Sequence, residues 1–240
     1  MCSKHLKRIA APVTYRIPRK VYKFAPRIIP GPHGLEEAVP VAILLRDILN
    51  IARNLREVKY ILRKGYLKVD GKKIKDYRFP VGLMDVIELV PTREYFRILP
   101  SKRYFIDLVK ISADEANIKL CQIKRKVMVK GGILQMTGHD GRNFLFSQDD
   151  ERSALKPGDV IVYDLNQKSV IKYIRFKKGN IAIVTRGAKM GYIGTIEDVI
   201  KPHPLRPRMA RIIVNGDVLE TLFEYVFPIG EDKPIIKLHE

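Results

Sequence analysis

The stretch LRDILNIARNLREVKYILRKGYLKVDGKKIKDYRFPVGLMDVIEL, residues 45–89, decides the fold. It predicts two short helices followed by strands. The second helix is well marked: Asn54 can cap its first turn, Glu57 lies three residues further on as in a capping box, and Gly65 ends it. The first helix is expected in the apolar run from Ala38 to Leu49, with a proline tolerated near its start.

A tight hairpin follows the second helix. Leu67 and Val69 alternate with polar residues, and Asp70-Gly71 suits a two-residue turn between antiparallel strands. The run Val86–Leu89 is expected to add a closing strand. Helices, hairpin and closing strand together predict a small module of mixed structure.

The chain as a whole is strongly basic. Its 240 residues carry 45 Lys and Arg against 26 Asp and Glu, a formal net charge of +19. Like charges at this density repel one another, and a polyanionic partner relieves the repulsion. Nucleic acid is the leading candidate, because cations that replace phosphate counterions gain affinity from ion release. A membrane surface is disfavoured, since the sequence has no lipidation motif or long apolar run.

The cations of the 45–89 stretch are arranged to reach a common partner. The second helix has an apolar stripe, and Arg56, Lys59 and Arg63 share the face turned away from it. We therefore expect helix and hairpin turn to present cations to one RNA groove, which positions a protein without reading sequence. The candidate RNA-binding residues of this stretch are Arg46, Arg53, Arg56, Lys59, Arg63, Lys64, Lys72 and Lys73.

A basic arm precedes this module. The segment from Met1 to Leu35 has no Asp or Glu, and its prolines break any long helix. We expect it to bury too little apolar surface to fold alone. Tyr15, Tyr22 and Phe24 lie among the charges, which suits stacking on unpaired bases, although a solvated terminus or a targeting sequence is the alternative. The candidate RNA-binding residues of the arm are Lys4, Lys7, Arg8, Arg16, Arg19, Lys20, Lys23 and Arg27.

Short strands between glycine-rich turns follow the module. A strand over Tyr104–Ile111, a brief helix opened by a capping box at Ser112–Glu115, and several short apolar runs up to Val160–Tyr163 are predicted. Their spacing indicates a small β-barrel or sandwich. His139 and Asp140 are interpreted as exposed polar residues of a turn rather than an acid–base pair, because no nucleophile accompanies them.

Glycines punctuate a later strand pair. Gly187 and Gly191 separate the run Ile181–Val184 from a second predicted strand, Tyr192–Ile196. A phosphate-binding loop needs a helix directly after its glycines, so nucleotide binding is disfavoured here. Cations at the loop tip could instead meet RNA where bare backbone allows close approach. The candidate RNA-binding residues of this region are Lys177, Lys178, Arg186, Lys189, Arg206 and Arg208.

No cofactor or metal site is expected. Cys2 and Cys121 are far apart, and the five histidines are scattered without ligand spacing. We therefore predict no catalytic residue, no metal ligand and no small-molecule substrate. The amino terminus lacks the apolar stretch of a secretory signal, which predicts a cytoplasmic protein.

Two local motifs resemble known RNA-binding parts. The pattern that includes Arg63-Lys64-Gly65 and Val69-Asp70-Gly71-Lys72 resembles the module named after the bacterial small-subunit ribosomal protein four, a helix-turn-helix pair with small strands. Its usual Ser-Arg at the second helix start is Asn54-Leu55 here, with Arg53 and Arg56 on either side. The segment 181–196 resembles a KOW motif, whose loop belongs to a small SH3-like barrel.

The order of these parts resembles a single family along essentially the whole chain. Fragments such as Lys4-His5-Leu6-Lys7-Arg8, Gly31-Pro32-His33 and Gly82-Leu83-Met84-Asp85 are similar to the small-subunit ribosomal protein four family of archaeal and eukaryotic type. The absence of a long basic C-terminal extension favours the archaeal form. The expected fold is α+β and multidomain, with four parts: a basic proline-rich extended arm (1–36), the helix-turn-helix plus β RNA-binding module (37–105), a central β domain (106–172), and an SH3-like KOW barrel with C-terminal strands (173–240).

The resemblance implies a structural constituent of the small ribosomal subunit, without catalysis, that binds and organises 16S-type rRNA. The implied partners are small-subunit rRNA and neighbouring small-subunit ribosomal proteins, and the implied location is the cytoplasmic ribosome. Two alternatives stay open. One is an RNA-modifying enzyme, such as a pseudouridine synthase, that carries the same module as an accessory; its catalytic Asp should lie in a Gly-Arg-Leu-Asp-like context, which this sequence lacks. A KOW-type transcription factor would contact RNA polymerase.

Overall fold

The computed structural model describes residues 5–147, 150–204 and 206–238. The chain forms two compact units: unit 1 comprises Met1–Ile98 and Lys110–Ala116, and unit 2 comprises Leu99–Val109 and Asn117–Glu240. Across the described residues the fold is mostly β, with a single α-helix longer than three residues. The chain is thus richer in strands than the predicted α+β class implies. The predicted residues Cys2, Lys4 and His239 lie outside the described ranges.

The basic arm is folded within unit 1. A strand pair and one 3-10 turn shape it: β1 (Leu6–Lys7), β2 (Phe24–Ala25) and the turn Arg8–Ala10. Tyr15 is only 1% exposed and Ile17 only 7%. The Thr14 hydroxyl donates to the Ala38 carbonyl at 3.3 Å, which ties the arm to the residues that follow it. The few apolar side chains of the arm therefore share a core with the rest of unit 1, and the expectation that the arm does not fold alone stays a prediction.

The apolar run after the arm forms a strand and a short helical segment instead of one helix. The elements are β3 (Ala38–Pro40), α1 (Val41–Ile43), a π-helical turn over Leu44–Ile48, and α2 (Leu55–Arg63). The side chains from Ala38 to Leu45 are all buried. A run that is apolar on every side carries no helical period, so its split into strand and helix depends on tertiary partners.

The predicted hairpin is confirmed. Strands β4 (Leu67–Val69) and β5 (Lys72–Lys73) pair antiparallel across Asp70 and Gly71, whose φ angles are 50° and 75°. Two positive φ angles are what a two-residue hairpin turn requires. The chain then continues through β6 (Pro80–Gly82), β7 (Val86–Leu89), β8 (Glu94–Leu99) and β9 (Asp107–Ile111). The sheet order is β5-β4-β7-β8-β9, and β6 pairs separately with β3.

A buried polar link joins two fragments that are far apart in sequence. The His33 Nε2 lies 3.0 Å from the Asp85 carboxylate, and the Gly82 amide donates to the same carboxylate at 2.9 Å. A methyl group on Gly82 would overlap the His33 ring, so glycine is required for this approach. The link fixes the start of β3 beside the turn before β7, and it positions the module against the arm.

The first sheet of unit 2 is antiparallel, in the order β12-β11-β10-β13-β14. Its strands are β10 (Ile118–Met128), β11 (Leu134–Gly138), β12 (Asn143–Phe146), β13 (Val160–Asp164) and β14 (Ser169–Ile174). The inner face packs around Cys121, Met136 and Ile161. The short apolar run Val127–Val129 mostly continues the eleven-residue β10. The brief helix predicted before this sheet is a 3-10 turn, Glu115–Asn117, which directly precedes β10.

The second sheet of unit 2 is also antiparallel, in the order β18-β17-β16-β15-β19. Its strands are β15 (Ile181–Val184), β16 (Ile193–Ile200), β17 (Met209–Val214), β18 (Asp217–Leu222) and β19 (Val226–Gly230). The strand pair predicted around the glycines is therefore present as β15 and β16. The predicted domain boundaries at residues 36, 105 and 172 stay a prediction.

Candidate nucleic-acid interface

Most of the predicted cations are displayed at the surface. Three arginines of the arm, Arg16, Arg19 and Arg27, are half-buried, as are Arg46 and Arg186. Arg8 is buried and Lys4 lies outside the described residues. The exposed ones are Lys7, Lys20, Lys23, Arg53, Arg56, Lys59, Arg63, Lys64, Lys72, Lys73, Lys177, Lys178, Lys189, Arg206 and Arg208.

The arm presents aromatic rings together with cations. Tyr22 is 68% exposed and Phe24 is 49% exposed. The Lys23 ammonium lies 5.6 Å from the Phe24 ring centroid, and the Arg8 guanidinium carbon lies 5.4 Å from that of Tyr22. Rings and ammonium groups in one patch can stack on bases and meet phosphate at the same time.

Tyr15 does not belong to that patch. Its ring is 1% exposed, so stacking on RNA would require the arm to unfold. Burial raises the pKa of the Tyr15 hydroxyl well above its ordinary value. The expectation that all three aromatic residues of the arm stack on bases is therefore wrong for Tyr15, which is a core residue.

Two arginines of the arm hold its backbone in place. The Arg8 Nε donates to the Pro18 carbonyl, and Arg8 is only 3% exposed. Arg19 donates from its two terminal nitrogens to the carbonyls of Arg8, Ala11 and Pro12. Guanidinium groups engaged in this way close the loop between β1 and β2. These contacts replace hydrogen bonds that a proline-rich segment cannot make through its own amides.

The second helix is fixed by the predicted cap. The Asn54 Oδ1 accepts from the Glu57 amide at 3.0 Å, and the Glu57 carboxylate accepts in return from the Arg53 amide at 2.7 Å. Gly65, with φ at 70°, ends the helix. On the inner side Val58 is fully buried, which sets the rotation of the helix. The opposite side therefore faces solvent along its whole length.

That solvent-facing side brings helix and hairpin cations together. The Lys59 ammonium lies 5.0 Å from the Tyr77 ring centroid. At the helix end the side chain of Lys73, from β5, lies against Gly65: a Cβ on that glycine would be 3.3 Å from the Lys73 Cδ. Arg63 and Lys64 occupy the last turn beside it, where positive charge also suits the helix dipole. Helix and turn thus converge on one surface, which we call the grip: Arg53, Arg56, Lys59, Arg63, Lys64, Lys72 and Lys73.

Arg46 is not part of the grip. Its guanidinium pairs with the neighbouring Asp47 carboxylate at 2.7 Å, and both side chains are about one-fifth exposed, at 21% and 18%. This local pair neutralises much of its charge.

The glycines of the later loop serve a different purpose from the one predicted. Gly191 has a φ of 78°, and a Cβ there would overlap the backbone of Ser101 and Lys102. Gly194 is equally confined, because a Cβ would overlap the Ile213 carbonyl on β17. The bare backbone of both residues is therefore covered by other parts of unit 2. Close packing within the protein, instead of close approach to RNA, requires glycine at these two positions.

The cations of that loop lie beside aromatic rings. The Arg186 guanidinium carbon is 5.4 Å from the Phe105 ring centroid, and the Lys189 ammonium is 6.0 Å from that of Tyr192. Further along the chain, Arg208 stacks closely on Phe223, at 3.7 Å. Stacked guanidinium groups keep their outer edges available for phosphate.

Lys177, Lys178 and Arg206 are carried by turns. The first two precede β15 in an exposed turn that ends at Gly179, whose amide donates to the Ile196 carbonyl at 2.8 Å. Arg206 forms an isolated antiparallel bridge with His203. These cations are exposed on unit 2.

His139 and Asp140 are buried, contrary to prediction. Asp140 is 4% exposed and pairs with Lys119 at 3.2 Å and with Arg142 at 2.8 Å. Burial raises the pKa of the Asp140 carboxyl, but the positive charges of Lys119 and Arg142 beside it outweigh the effect of burial and bring the pKa to about 2. The His139 Nδ1 accepts from the Gln122 amide at 3.2 Å. Asp140 thus belongs to an internal ionic cluster of unit 2, together with Lys119 and Arg142. Lys119 lies on β10 and reaches Asp140 only through the tertiary fold.

Other cations at the surface were missed by the sequence reasoning. Lys102 and Arg103 are exposed in unit 2, beside Tyr192 and Tyr104 respectively. Two adjacent cations before an aromatic residue are the signal that could have found them. Arg78 lies over Tyr77 near the grip, but its guanidinium pairs with Asp76 at 3.0 Å.

Within the described ranges, no group of three or more His, Cys, Asp or Glu side chains could hold a metal ion. None of the helices described there is long and apolar enough to cross a membrane. The candidate interface consists of cations and aromatic rings.

Comparison with known families and proteins gives consistent matches. The Ribosomal family S4e matches residues 92–170, and the RS4NT domain matches residues 2–36. The small ribosomal subunit protein eS4 of Pyrobaculum islandicum is 42% identical, over 98% of this chain and 98% of its own length. The protein of the same name from Ignicoccus hospitalis is 40% identical, over 99% of this chain and 95% of its own length.

A solved structure agrees. The crystal structure of the 30S ribosomal protein S4e from Thermoplasma acidophilum has a TM-score of 0.70 at 30% sequence identity, and the match covers 81% of this chain and 96% of that one. Identity of about 40% over nearly the full length, with the same fold, places the chain within one family. The chain belongs to the S4e family of ribosomal proteins.

Proposed function

We propose that this protein is a structural, non-enzymatic constituent of the small ribosomal subunit, where it binds and organises 16S-type rRNA. The full-length similarity to proteins named small ribosomal subunit protein eS4 carries this proposal. The distribution of exposed cations supports it, because they lie in the arm, in the grip and in the loops of unit 2, on a chain with a net charge of +19.

The mechanism is electrostatic and shape-based. Exposed Lys and Arg replace counterions on the RNA backbone, and the released ions contribute most of the affinity. Contacts to phosphate fix the position and orientation of the protein without reading base sequence. Three basic surfaces on one chain hold three rRNA segments at once: the arm, the grip, and the loops of unit 2.

Within these surfaces the exposed cations make the RNA contacts. The grip contributes a continuous patch, since its helix and hairpin cations converge at Gly65. Arg8 and Arg19 support the arm from within through backbone carbonyls. The functional parts follow the predicted order: arm (1–36), RNA-binding module (37–105), central β domain (106–172) and KOW barrel (173–240).

The partners follow from this role. Small-subunit rRNA is the main partner, neighbouring small-subunit ribosomal proteins contact the remaining surface, and the cellular location is the ribosome. Neither an accessory role beside an RNA-modifying enzyme nor a KOW-type transcription factor is supported by the relatives, whose names place them in the small subunit.

Copurification tests the proposal. The tagged full-length chain is recovered from its own cells after a salt wash, and the accompanying RNA and proteins are identified. We expect stoichiometric small-subunit rRNA and small-subunit proteins. Recovery with RNA polymerase or with an RNA-modifying enzyme, in the absence of small-subunit rRNA, would overturn it.

A further inference from the structure

A cavity of about 460 Å³ opens on the surface of unit 2 beside the glycine loop. Small-molecule pockets in proteins span roughly 300–1,000 Å³, so the cavity has room for a single compact ligand. Its lining includes the segment Pro100–Arg103, Tyr192 and Asn215. The floor is apolar, with Ile183 and Val214 both buried.

The lining combines three kinds of group. Tyr192 supplies an aromatic ring, and Asn215 supplies an amide that can donate and accept hydrogen bonds at the same time. Lys102 supplies a positive charge, with its ammonium 5.2 Å from the Tyr192 ring centroid. A second ammonium, that of Lys189, lies 6.0 Å from the same centroid. A planar aromatic face, an amide and flexible cations around an apolar floor are the groups that bind a nucleotide outside a duplex.

The backbone holds these groups firmly. Gly191 allows the loop before Tyr192 to pack directly on Ser101 and Lys102, where any Cβ would overlap their backbone atoms. Asn215 stands in a tight turn between β17 and β18, with φ at 51°, and Gly216 follows it with φ at 96°. A two-residue turn of this kind fixes the direction in which the side chain leaves the backbone. These parts of the lining are therefore fixed in position before a ligand arrives.

We propose that this cavity binds one unstacked nucleotide of the rRNA. The base would stack on Tyr192, its hydrogen-bonding edge would meet the Asn215 amide, and its phosphate would draw the Lys102 and Lys189 ammonium groups away from the ring. The proposal rests on the proposed function. In addition to the contacts with phosphate, it gives the protein one contact that selects an unpaired base. An RNA segment with a splayed nucleotide would bind here, and a continuous duplex would not.

Three substitutions test it in the full-length chain, with a transcript of the organism's small-subunit rRNA as the probe. Tyr192→Leu keeps apolar bulk but removes the aromatic face, whereas Tyr192→Phe keeps the face. Since stacking of one base changes affinity by about 5- to 150-fold, the Leu variant is expected to bind at least about 5-fold more weakly than the Phe variant. Tyr173→Leu is the matched control, because Tyr173 is a half-buried tyrosine of the same unit, beside Arg175, and lies outside this cavity.

Two further readouts separate base binding from a structural role. Lys102→Gln is expected to lower the slope of log affinity against log salt by about 0.7 to 0.9, as one lost phosphate contact does, whereas Tyr192→Leu leaves that slope unchanged. Asn215→Gly retains the turn conformation and removes only the amide, and it is expected to weaken binding about 2- to 10-fold. Ultraviolet crosslinking of the complex is expected to attach a nucleotide to Tyr192.

The outcomes are distinguishable. If the wild-type chain binds the transcript but the Leu and Phe variants bind it alike, or no crosslink reaches Tyr192, the cavity proposal is overturned while the proposed function stands. If the wild-type chain does not bind the transcript, the proposed function fails and this proposal fails with it. Thermal unfolding of each variant checks that the fold is retained, and Asn215→Gly decides the question should Tyr192→Leu not fold.

Discussion

Neutralising the helix side of the grip is the perturbation that most clearly separates binding from folding. The triple variant Arg56→Gln, Lys59→Gln and Arg63→Gln removes three exposed cations from one face of α2. If each contacts one phosphate, the slope of log affinity against log salt decreases by about 0.7 to 0.9 per contact, or about 2.1 to 2.7 in all. Between 50 and 200 mM salt, the fall in affinity then becomes about 20- to 40-fold smaller than in the wild type.

The same substitutions should affect stability only slightly. Lys59 loses its contact with the Tyr77 ring, about 0.5–1 kcal/mol for an exposed pair. Arg63 loses a favourable position in the last helical turn, about 0.3–1 kcal/mol. The sum of about 1–2 kcal/mol is small against the roughly 5–15 kcal/mol that holds a typical domain together. The apolar face and the Asn54 cap are unchanged, so the variant is expected to fold.

Filter binding or fluorescence anisotropy over a salt series, with the rRNA transcript as the probe, measures the effect. The matched control is Lys156→Gln, Lys168→Gln and Lys233→Gln, which removes the same charge from exposed positions of unit 2 outside the predicted interface. The control should keep most of the wild-type salt slope. If the slope of log affinity against log salt decreased equally in the two triple variants, the reasoning would be refuted, because net charge alone would then explain binding.

Three further predictions concern the folded state. Arg19→Gln removes donors from three backbone carbonyls of the arm, and denaturant unfolding should show a loss of about 2–3 kcal/mol. The pKa of Asp140, about 2 against an ordinary 3.8, means that its contribution to stability is complete above the ordinary value and is lost as the pH falls towards about 2. Asp140→Asn should abolish this pH dependence in acid titrations of unfolding, and it should cost about 3–5 kcal/mol because the buried Lys119 loses the charge of the Asp140 carboxylate. Gly191→Ala should cost at least about 2 kcal/mol in thermal or denaturant unfolding, from positive φ and overlap together, whereas Gly71→Ala, with no atom within 4 Å of its Cβ, should cost only about 1 kcal/mol.

Local signals in the sequence predicted the grip well. Asn54, Glu57 and Gly65 specify α2 through contacts within a few residues, and Asp70-Gly71 specifies its own turn. Such signals depend only on residues a few positions apart, so they can be recognised in the sequence. The cations of α2 were placed correctly at the surface for the same reason, since the apolar stripe alone fixes the rotation of the helix.

Features that depend on distant residues could not be predicted in this way. Tyr15 is buried because the arm packs into unit 1, and nothing in its proline-rich surroundings indicates a core. The burial of Asp140 depends on Lys119, which β10 brings beside it. Gly191 is confined by Ser101 and Lys102, about ninety residues earlier in the chain. In each case a local pattern suggested a surface role, and a long-range contact decided otherwise.

Affinity for naked small-subunit rRNA as a function of salt tests the central claim most directly. If exposed cations on three surfaces bind the phosphate backbone, roughly six to ten contacts should lower the affinity of the wild-type chain about 10³- to 10⁵-fold between 50 and 200 mM salt. An affinity that stays flat over that range would contradict an electrostatic grip on rRNA.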